Sequence, residues 1–90
     1  MLESKIVVSN QLGLHARAAA QLVRLAESFK SEITVRRPDN GATADAKSIL
    51  DVLTLAASKG VEVEIEVVGA DEKGALAAVL EIFANGFGEI

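Results

Sequence analysis

The only histidine of this sequence, His15, lies in the segment "GLHARA", two residues after Gly13 and two before Arg17. A neutral imidazole nitrogen is a nucleophile, and Gly13 permits a tight turn with a positive φ just before it. If a helix begins after His15, the N–H groups of Ala16, Arg17 and Ala18 are free to bind an anion, helped by the helix macrodipole. The guanidinium of Arg17 pairs with phosphate in a forked geometry. This combination suits a phosphoryl group that arrives at His15 and leaves again.

The alternative interpretation is a histidine that caps a helix and has no chemistry, as most isolated histidines do. The sequence offers no second histidine, no cysteine and no glycine-rich phosphate loop to complete a catalytic site. An independent hydrolase is therefore the least favoured class. We expect half of an active site, with the other half on another protein.

The composition predicts one globular domain over residues 1–90. Half of the residues are apolar and the formal charge is −4. The scattered Lys and Arg residues argue against nucleic-acid binding and against attraction to anionic membranes. Without cysteine there is no disulfide and no thiolate metal site, and we expect no metal and no cofactor. No signal-peptide pattern and no long apolar run is present, so we expect a cytoplasmic protein without membrane insertion.

Strict alternation in "VEVEIEVV", residues 61–68, predicts a strand with one buried face and one solvated face. Similar patterns predict three more strands, at residues 32–36, at residues 5–8 and, more weakly and at an edge, at residues 42–46. The pair Asn40-Gly41 suits a hairpin turn, and Pro38 indicates a connection longer than two residues.

Apolar residues at helical spacing predict helices over residues 16–29 and 71–84, and a shorter helix that begins after Lys47. Their apolar stripes are Ala19, Leu22, Val23 and Ala26, then Leu76, Val79, Leu80 and Phe83, and in the short helix Ile49, Val52, Leu53 and Ala56. Asp71 suits an N-cap and Asn85-Gly86 a helix stop. Ser48 suits an N-cap in a capping box, with the Asp51 carboxylate reaching back to the Ser48 N–H.

The order of elements is β-α-β-β-α-β-α, and the glutamates of residues 61–68 leave one sheet face in water. The helices must then cover the other face. We therefore predict an α/β (α+β) open-faced two-layer sandwich, with a four-stranded antiparallel sheet and three helices on one face.

Three segments carry a resemblance to a known family. "GLHARAAAQLV" is similar to the active-site segment of the HPr family, the histidine phosphocarriers of bacterial phosphotransferase systems. "AKSILDVLTLAASKG" resembles its second motif, and "VEVEIEVVGADEKGALAAVLEIF" its last strand and helix. The resemblance covers essentially the whole chain in register. It implies the same βαββαβα open-faced sandwich.

The resemblance also implies a mechanism, in which enzyme I takes phosphate from phosphoenolpyruvate with the help of Mg²⁺ and passes it to a histidine. An enzyme IIA domain then receives it. Carried over, His15 is the phosphorylated residue, through Nδ1, and Arg17 stabilises the phosphate. The residues that match the family's partner-docking positions are Ala20, Arg24, Ile49, Leu50, Leu53 and Thr54. Part of this short apolar helix is then an exposed patch, whereas ordinary core is the alternative.

Ala18 departs from the family's pattern. The family usually has proline where this chain has Ala18; alanine keeps the helix and restores an N–H donor, so we expect function to survive.

Ser48 has two interpretations. It matches a serine that a dedicated kinase phosphorylates in Gram-positive members, and it also suits a simple helix cap. Phosphate at a helix start is favourable, but Asp51 places a like charge nearby.

The charges bear on the partners. Sugar-transport members commonly carry lysines near the docking surface, where this chain has Glu27 and Asp51. Together with its C-terminal segment, this resembles NPr, the family's nitrogen-branch relatives, since complementary charge sets partner choice. Sugar uptake and a regulatory phosphorelay both remain open. We expect a monomer whose partners are enzyme I, an enzyme IIA domain and, for Ser48, an HPr-type serine kinase.

Three classes of function can be told apart. The first is a phosphocarrier, which is not an enzyme in the strict sense because it is itself modified and regenerated. The second is a non-catalytic, protein-binding regulatory module whose docking is modulated by phosphorylation. The third is a small-molecule-binding domain of the ferredoxin-like kind, which the glutamate-rich outer sheet face disfavours. The Gly13-His15-Arg17 cluster favours the first.

Overall fold

The computed structural model describes residues 1–89. Its elements are β1 (Leu2–Val7), α1 (Ala16–Glu27), β2 (Glu32–Arg36), β3 (Thr43–Asp45), α2 (Ile49–Thr54), β4 (Glu62–Val68), α3 (Glu72–Ala84) and a 3₁₀ turn (Gly86–Gly88). The strands form one sheet in the order β1-β4-β2-β3, and every neighbouring pair is antiparallel. The predicted open-faced sandwich is confirmed.

The central strand β4 follows the predicted alternation. Val63, Ile65 and Val67 are fully buried under the helices. On the opposite face Glu64 forms ion pairs with Arg36 of β2 and Lys5 of β1. Both ion pairs of Glu64 therefore lie on the solvent-facing side of the sheet.

Several boundaries differ from the predicted ones. β1 begins at Leu2 instead of Lys5, because Leu2 pairs with Val67 of β4. It ends before Val8, although Val8 is buried and bonds through its backbone to the segment before β4. α1 ends at Glu27, short of Phe29. The β2–β3 connection spans residues 37–42, which confirms a loop longer than two residues.

The helical stripes are confirmed in α1 and partly confirmed elsewhere. All four predicted α1 residues are buried. In α3 the buried residues are Ala75, Val79 and Phe83, whereas Leu76 and Leu80 are only partly buried. In α2 only Val52 is fully buried.

Asp71 occupies the N-cap position of α3, but its carboxylate does not cap the helix. It accepts hydrogen bonds from the Ser31 hydroxyl, the N–H of Lys30 (2.8 Å) and the N–H of Ser31 (2.9 Å). These bonds lower the pKa of Asp71 to about 2. The side chain therefore joins the β4–α3 turn to the start of β2, a role that local sequence does not reveal.

The chain after α3 returns to the core. The ring of Phe87 is buried and meets Phe83 edge to face, with centroids 5.0 Å apart and planes at 70°. Such aromatic pairs add roughly 0.5–1.5 kcal/mol beyond area burial. The predicted stop at Asn85-Gly86 is confirmed, with Gly86 at φ +58°. This packing fixes the position of Glu89.

Candidate functional site

His15 is the N-cap residue of α1, with an extended backbone, and its carbonyl accepts the Ala19 N–H at 2.8 Å. Within residues 1–89 the N–H groups of Ala16, Arg17 and Ala18 have no acceptor. Ala16 and Arg17 are exposed, whereas Ala18 is fully buried. The donors that an incoming anion can reach are therefore those of Ala16 and Arg17, and the donor that Ala18 restores is shielded.

The turn before His15 depends on Gly13. Its φ is +64°, and a Cβ there would lie 2.5 Å from the Ala57 carbonyl oxygen and 2.8 Å from Ser58 Cα. The next residue, Leu14, donates its N–H to the same Ala57 oxygen at 2.9 Å. Gly13 thus lets the β1–α1 loop pack directly on the α2–β4 connection, and this contact sets the start of α1.

The ring of His15 has a carboxylate partner that the sequence did not suggest. Its Nε2 is paired with Oε2 of Glu89, and the two side chains are 24% and 14% exposed. Within residues 1–89 no partner contacts Nδ1. A carboxylate on Nε2 favours the tautomer with the proton on Nε2, which leaves a free lone pair on Nδ1.

Glu89 is held in turn by Asn10. The Asn10 side-chain nitrogen donates to Glu89 Oε1 at 2.9 Å and to the Gly13 carbonyl at 2.8 Å. The hydrogen bond from Asn10, then the hydrogen bond from His15 and the positive charges of His15 and Arg17, hold the pKa of Glu89 below its usual value. Partial burial opposes this effect. Glu89 therefore stays ionised at neutral pH.

Sequence reasoning missed both Glu89 and Asn10. The available signal was the segment "NGFGE" after α3, in which turn residues surround a phenylalanine that must be buried. Burial of Phe87 implies that the chain turns back, but only the structure shows that Glu89 reaches His15.

Arg17 is exposed, and within residues 1–89 its side chain forms no ion pair or hydrogen bond. Its charge nevertheless reaches the site, since it lowers the pKa of Glu89. An unpaired guanidinium is available for an incoming anion, and phosphate stabilisation by Arg17 stays a prediction.

The predicted docking residues lie on α1 and α2, which pack against each other. Ile49 and Leu50 are exposed, at 42% and 75%. Leu53 is partly buried against the core, so it belongs to both surface and core. Of the remaining three, Arg24 and Thr54 are exposed and Ala20 is half-buried. Leu12, which was not predicted, is 66% exposed.

Ser48 is the N-cap of α2, as predicted, and its hydroxyl accepts the Asp51 N–H at 3.3 Å. The other predicted hydrogen bond of the capping box, from the Ser48 N–H to the Asp51 carboxylate, is wrong. The Asp51 carboxylate accepts the Asp45 N–H at 3.2 Å, and the Ser48 N–H donates to the Asp45 carbonyl. Asp45, the last residue of the short strand β3, lies close enough to bind both the Asp51 carboxylate and the Ser48 N–H.

Two further findings concern residues 1–89. They contain no group of three or more His, Cys, Asp or Glu side chains placed to hold a metal ion. They also contain no helix with the length and apolar character needed to cross a membrane.

Comparison with known proteins gives consistent results. Residues 2–85 match the family model described as PTS HPr component phosphorylation site. Phosphocarrier protein HPr of Cupriavidus necator is 47% identical over 89 residues, which cover 99% of this chain and 98% of that protein. Phosphocarrier protein NPr of Escherichia coli is 39% identical over 88 residues, covering 98% and 97%.

A solved structure agrees over the whole fold. The crystal structure of HPr-C-His from Thermoanaerobacter tengcongensis matches with a TM-score of 0.93 and 37% identity, covering 100% of this chain and 99% of the other. Since the family model spans nearly all of the chain and the relatives align from end to end, the chain belongs to the HPr family, phosphocarrier proteins of the phosphotransferase system that are not themselves enzymes.

Proposed function

We propose that this phosphocarrier holds its phosphoryl group on Nδ1 of His15, taken from phosphorylated enzyme I and passed to an enzyme IIA domain. The supporting observation is the His15 ring, whose Nε2 is occupied by Glu89 while Nδ1 has no partner within residues 1–89. Family membership implies partners within the phosphotransferase system. The specific pair, the one-domain organisation of residues 1–90, the monomeric state and the cytoplasmic location remain predictions.

The transfer step is a displacement at phosphorus. The Nδ1 lone pair forms the new N–P bond as the bond to the donor's phosphorylated group breaks, and Nε2 keeps its proton against Glu89. The phosphoryl oxygens then lie near the guanidinium of Arg17 and the exposed N–H groups of Ala16 and Arg17, which stabilise their charge. Passing the group to the acceptor reverses these steps and returns His15 to its starting state.

The exposed apolar residues Ile49 and Leu50 support a docking surface for these larger partners. An apolar surface beside a reacting group aligns the two proteins, and alignment is a large part of phosphoryl-transfer catalysis. Arg24, which is exposed on α1, supplies a charge for partner selection. The proposal covers both sugar uptake and a regulatory phosphorelay, because relatives named HPr and NPr both match this chain.

The same exposed pair favours the alternative of a regulatory module that binds proteins without transferring phosphate. Substitution of His15 separates the two functions, because docking through Ile49 and Leu50 needs no imidazole. A phosphocarrier loses its function in His15→Ala although it still docks, whereas a docking module keeps its full function in that variant.

The test is incubation with phosphoenolpyruvate, Mg²⁺ and enzyme I, followed by intact-mass analysis before and after mild acid. Wild type gains one acid-labile phosphate and passes it to enzyme IIA, His15→Ala gains none, and Glu81→Gln, at an exposed position of α3, serves as the control and behaves as wild type. A phosphate that persists in His15→Ala would contradict the assignment. If wild type gains no phosphate from any of several enzyme I paralogues, the result would favour the docking module.

A regulatory phosphate on Ser48 is a separate proposal. The Ser48 hydroxyl caps α2 by accepting one N–H, and the Asp51 carboxylate is engaged by Asp45. An HPr-type serine kinase with ATP should add one acid-stable phosphate to wild type and to His15→Ala, and none to Ser48→Ala. Equal labelling of the Ser48→Ala variant would place the modification elsewhere.

A further inference from the structure

We infer that Glu89, anchored by the buried amide of Asn10, is a positioning residue that holds the His15 ring with Nδ1 directed toward the phosphoryl group. This inference rests on the proposed function, since positioning has a catalytic meaning only if His15 carries the phosphate. It adds to that function two residues that lie 74 and 5 positions away from the histidine in sequence, of which the first pairs with it directly.

The anchor is Asn10, which is 1% exposed. An amide nitrogen has two hydrogens to donate, and both are used, one on the Gly13 carbonyl and one on Glu89 Oε1. The amide oxygen is buried and has no partner within residues 1–89. A buried polar atom without a partner costs free energy. The buried Asn10 amide is therefore held by the two hydrogen bonds that its nitrogen donates. These bonds link the turn before His15 to the Glu89 carboxylate.

Glu89 is also fixed from its own side of the chain. Phe87 is buried against Phe83, and the Glu89 N–H donates to the Gly86 carbonyl at 3.0 Å. With the backbone held there and Oε1 held by Asn10, Oε2 has one position, on His15 Nε2. A carboxylate that is already oriented loses little conformational freedom when the ring becomes charged.

The consequence for the imidazole is twofold. Before transfer, the hydrogen bond to Glu89 favours the proton on Nε2 and leaves the Nδ1 lone pair free to attack. After transfer, the ring that carries phosphate on Nδ1 and a proton on Nε2 is cationic, and the carboxylate stabilises it. A histidine held by a carboxylate in this way is the arrangement that also orients a general base in hydrolases.

The test compares Glu89→Gln with Glu81→Gln, an exposed glutamate on α3 that serves as the matched control. Phosphorylation by enzyme I is measured as a rate, and the His15 tautomer is read from its ¹⁵N chemical shifts in the unphosphorylated protein. We expect Glu89→Gln to slow transfer about ten- to a hundredfold, the range for losing one hydrogen bond to a charged group. We also expect it to populate both tautomers, while Glu81→Gln matches wild type in both measurements.

A second variant guards against a trivial loss of structure. Asn10→Ser removes the donor to Glu89 Oε1, and it should slow transfer and mix the tautomers in the same direction, in a chain shown to be folded by circular dichroism. Wild-type transfer with an unchanged tautomer in Glu89→Gln would overturn the inference and leave the proposed function standing. Failure of wild type to accept phosphate would instead overturn the proposed function and, with it, the catalytic meaning of Glu89.

Discussion

Replacing Gly13 with alanine tests how closely the loop before His15 packs on the rest of the molecule. Gly13 and Gly41 both have a positive φ, +64° and +74°. A Cβ on Gly41 meets nothing within 4 Å, whereas one on Gly13 meets the Ala57 carbonyl oxygen at 2.5 Å. Gly41→Ala is therefore a matched control that isolates the backbone conformation from the steric contact.

The expected losses follow from these two contributions. A left-handed conformation costs an alanine roughly 1–2 kcal/mol, offset by about 0.4–1 kcal/mol from the stiffer unfolded chain. Gly41→Ala should therefore lose about 1 kcal/mol or less. In Gly13→Ala the contact with backbone atoms adds about 1–3 kcal/mol of overpacking, and displacing Ala57 weakens its hydrogen bond to Leu14, which contributes about 1 kcal/mol. The total for Gly13→Ala is thus about 2–5 kcal/mol.

The measurement is urea unfolding followed by far-ultraviolet circular dichroism, because the chain has no Trp and no Tyr to report by fluorescence. A difference of about 2–4 kcal/mol between the two variants corresponds to a gap in Tm of roughly 10–30 °C for a domain of this size. Equal losses, within about 0.5 kcal/mol, would refute the reasoning, because the close approach of Gly13 to Ala57 would then contribute nothing.

Three further predictions concern other regions. Ala56 has φ +50°, so Ala56→Gly should raise the free energy of unfolding by about 0.5–1 kcal/mol in urea titrations, and a loss of stability would contradict this. The folded-state pKa of Asp71, about 2, lies below the unfolded value, so its contribution to stability is present above about pH 4 and is lost as the pH falls toward 2. The Tm of Asp71→Asn should therefore lie below that of wild type at pH 7 and approach it near pH 2; a gap independent of pH would show that the carboxylate charge is not involved. Leu50 is 75% exposed, so Leu50→Asp should leave stability within about 0.5 kcal/mol and lower the rate of transfer to enzyme IIA, while Val68→Asp on the outer sheet face should transfer normally.

The sequence predicted the fold where the pattern reflects burial. Val63, Ile65 and Val67 alternate with glutamates because β4 lies at the centre of a sheet with one wet face. The α1 stripe is equally clear, since that helix packs on the core along one side. β1 was predicted too short because its first residues are paired by β4, and such pairing leaves only a weak trace in a single sequence.

The sequence predicted only those residues of the candidate site that lie close to His15 along the chain. His15, Gly13 and Arg17 are neighbours in sequence, so a turn and a helix start suffice to bring them together. Asn10 and Glu89 required the return of the chain after α3, which depends on the packing of Phe87. The partners of Asp51 and Asp71 were also not predictable from local sequence. Their spacing indicated helix-capping roles, but both carboxylates bind N–H groups outside their own helices, which the fold brings near.

The distance along the chain between Asn10 and Glu89 has a kinetic consequence. Contacts that close long loops form late in folding, since the entropy of closure precedes the gain. The hydrogen bond between these residues spans 79 positions, and the pairing of β1 with β4 is similarly non-local. The helix that begins after His15 can therefore form well before its ring is oriented. Stopped-flow measurements on Glu89→Gln should show an unchanged folding rate and faster unfolding, as expected for an interaction absent from the transition state; slower folding would place it in the nucleus. The reacting ring would then be among the last parts of the molecule to acquire its final geometry.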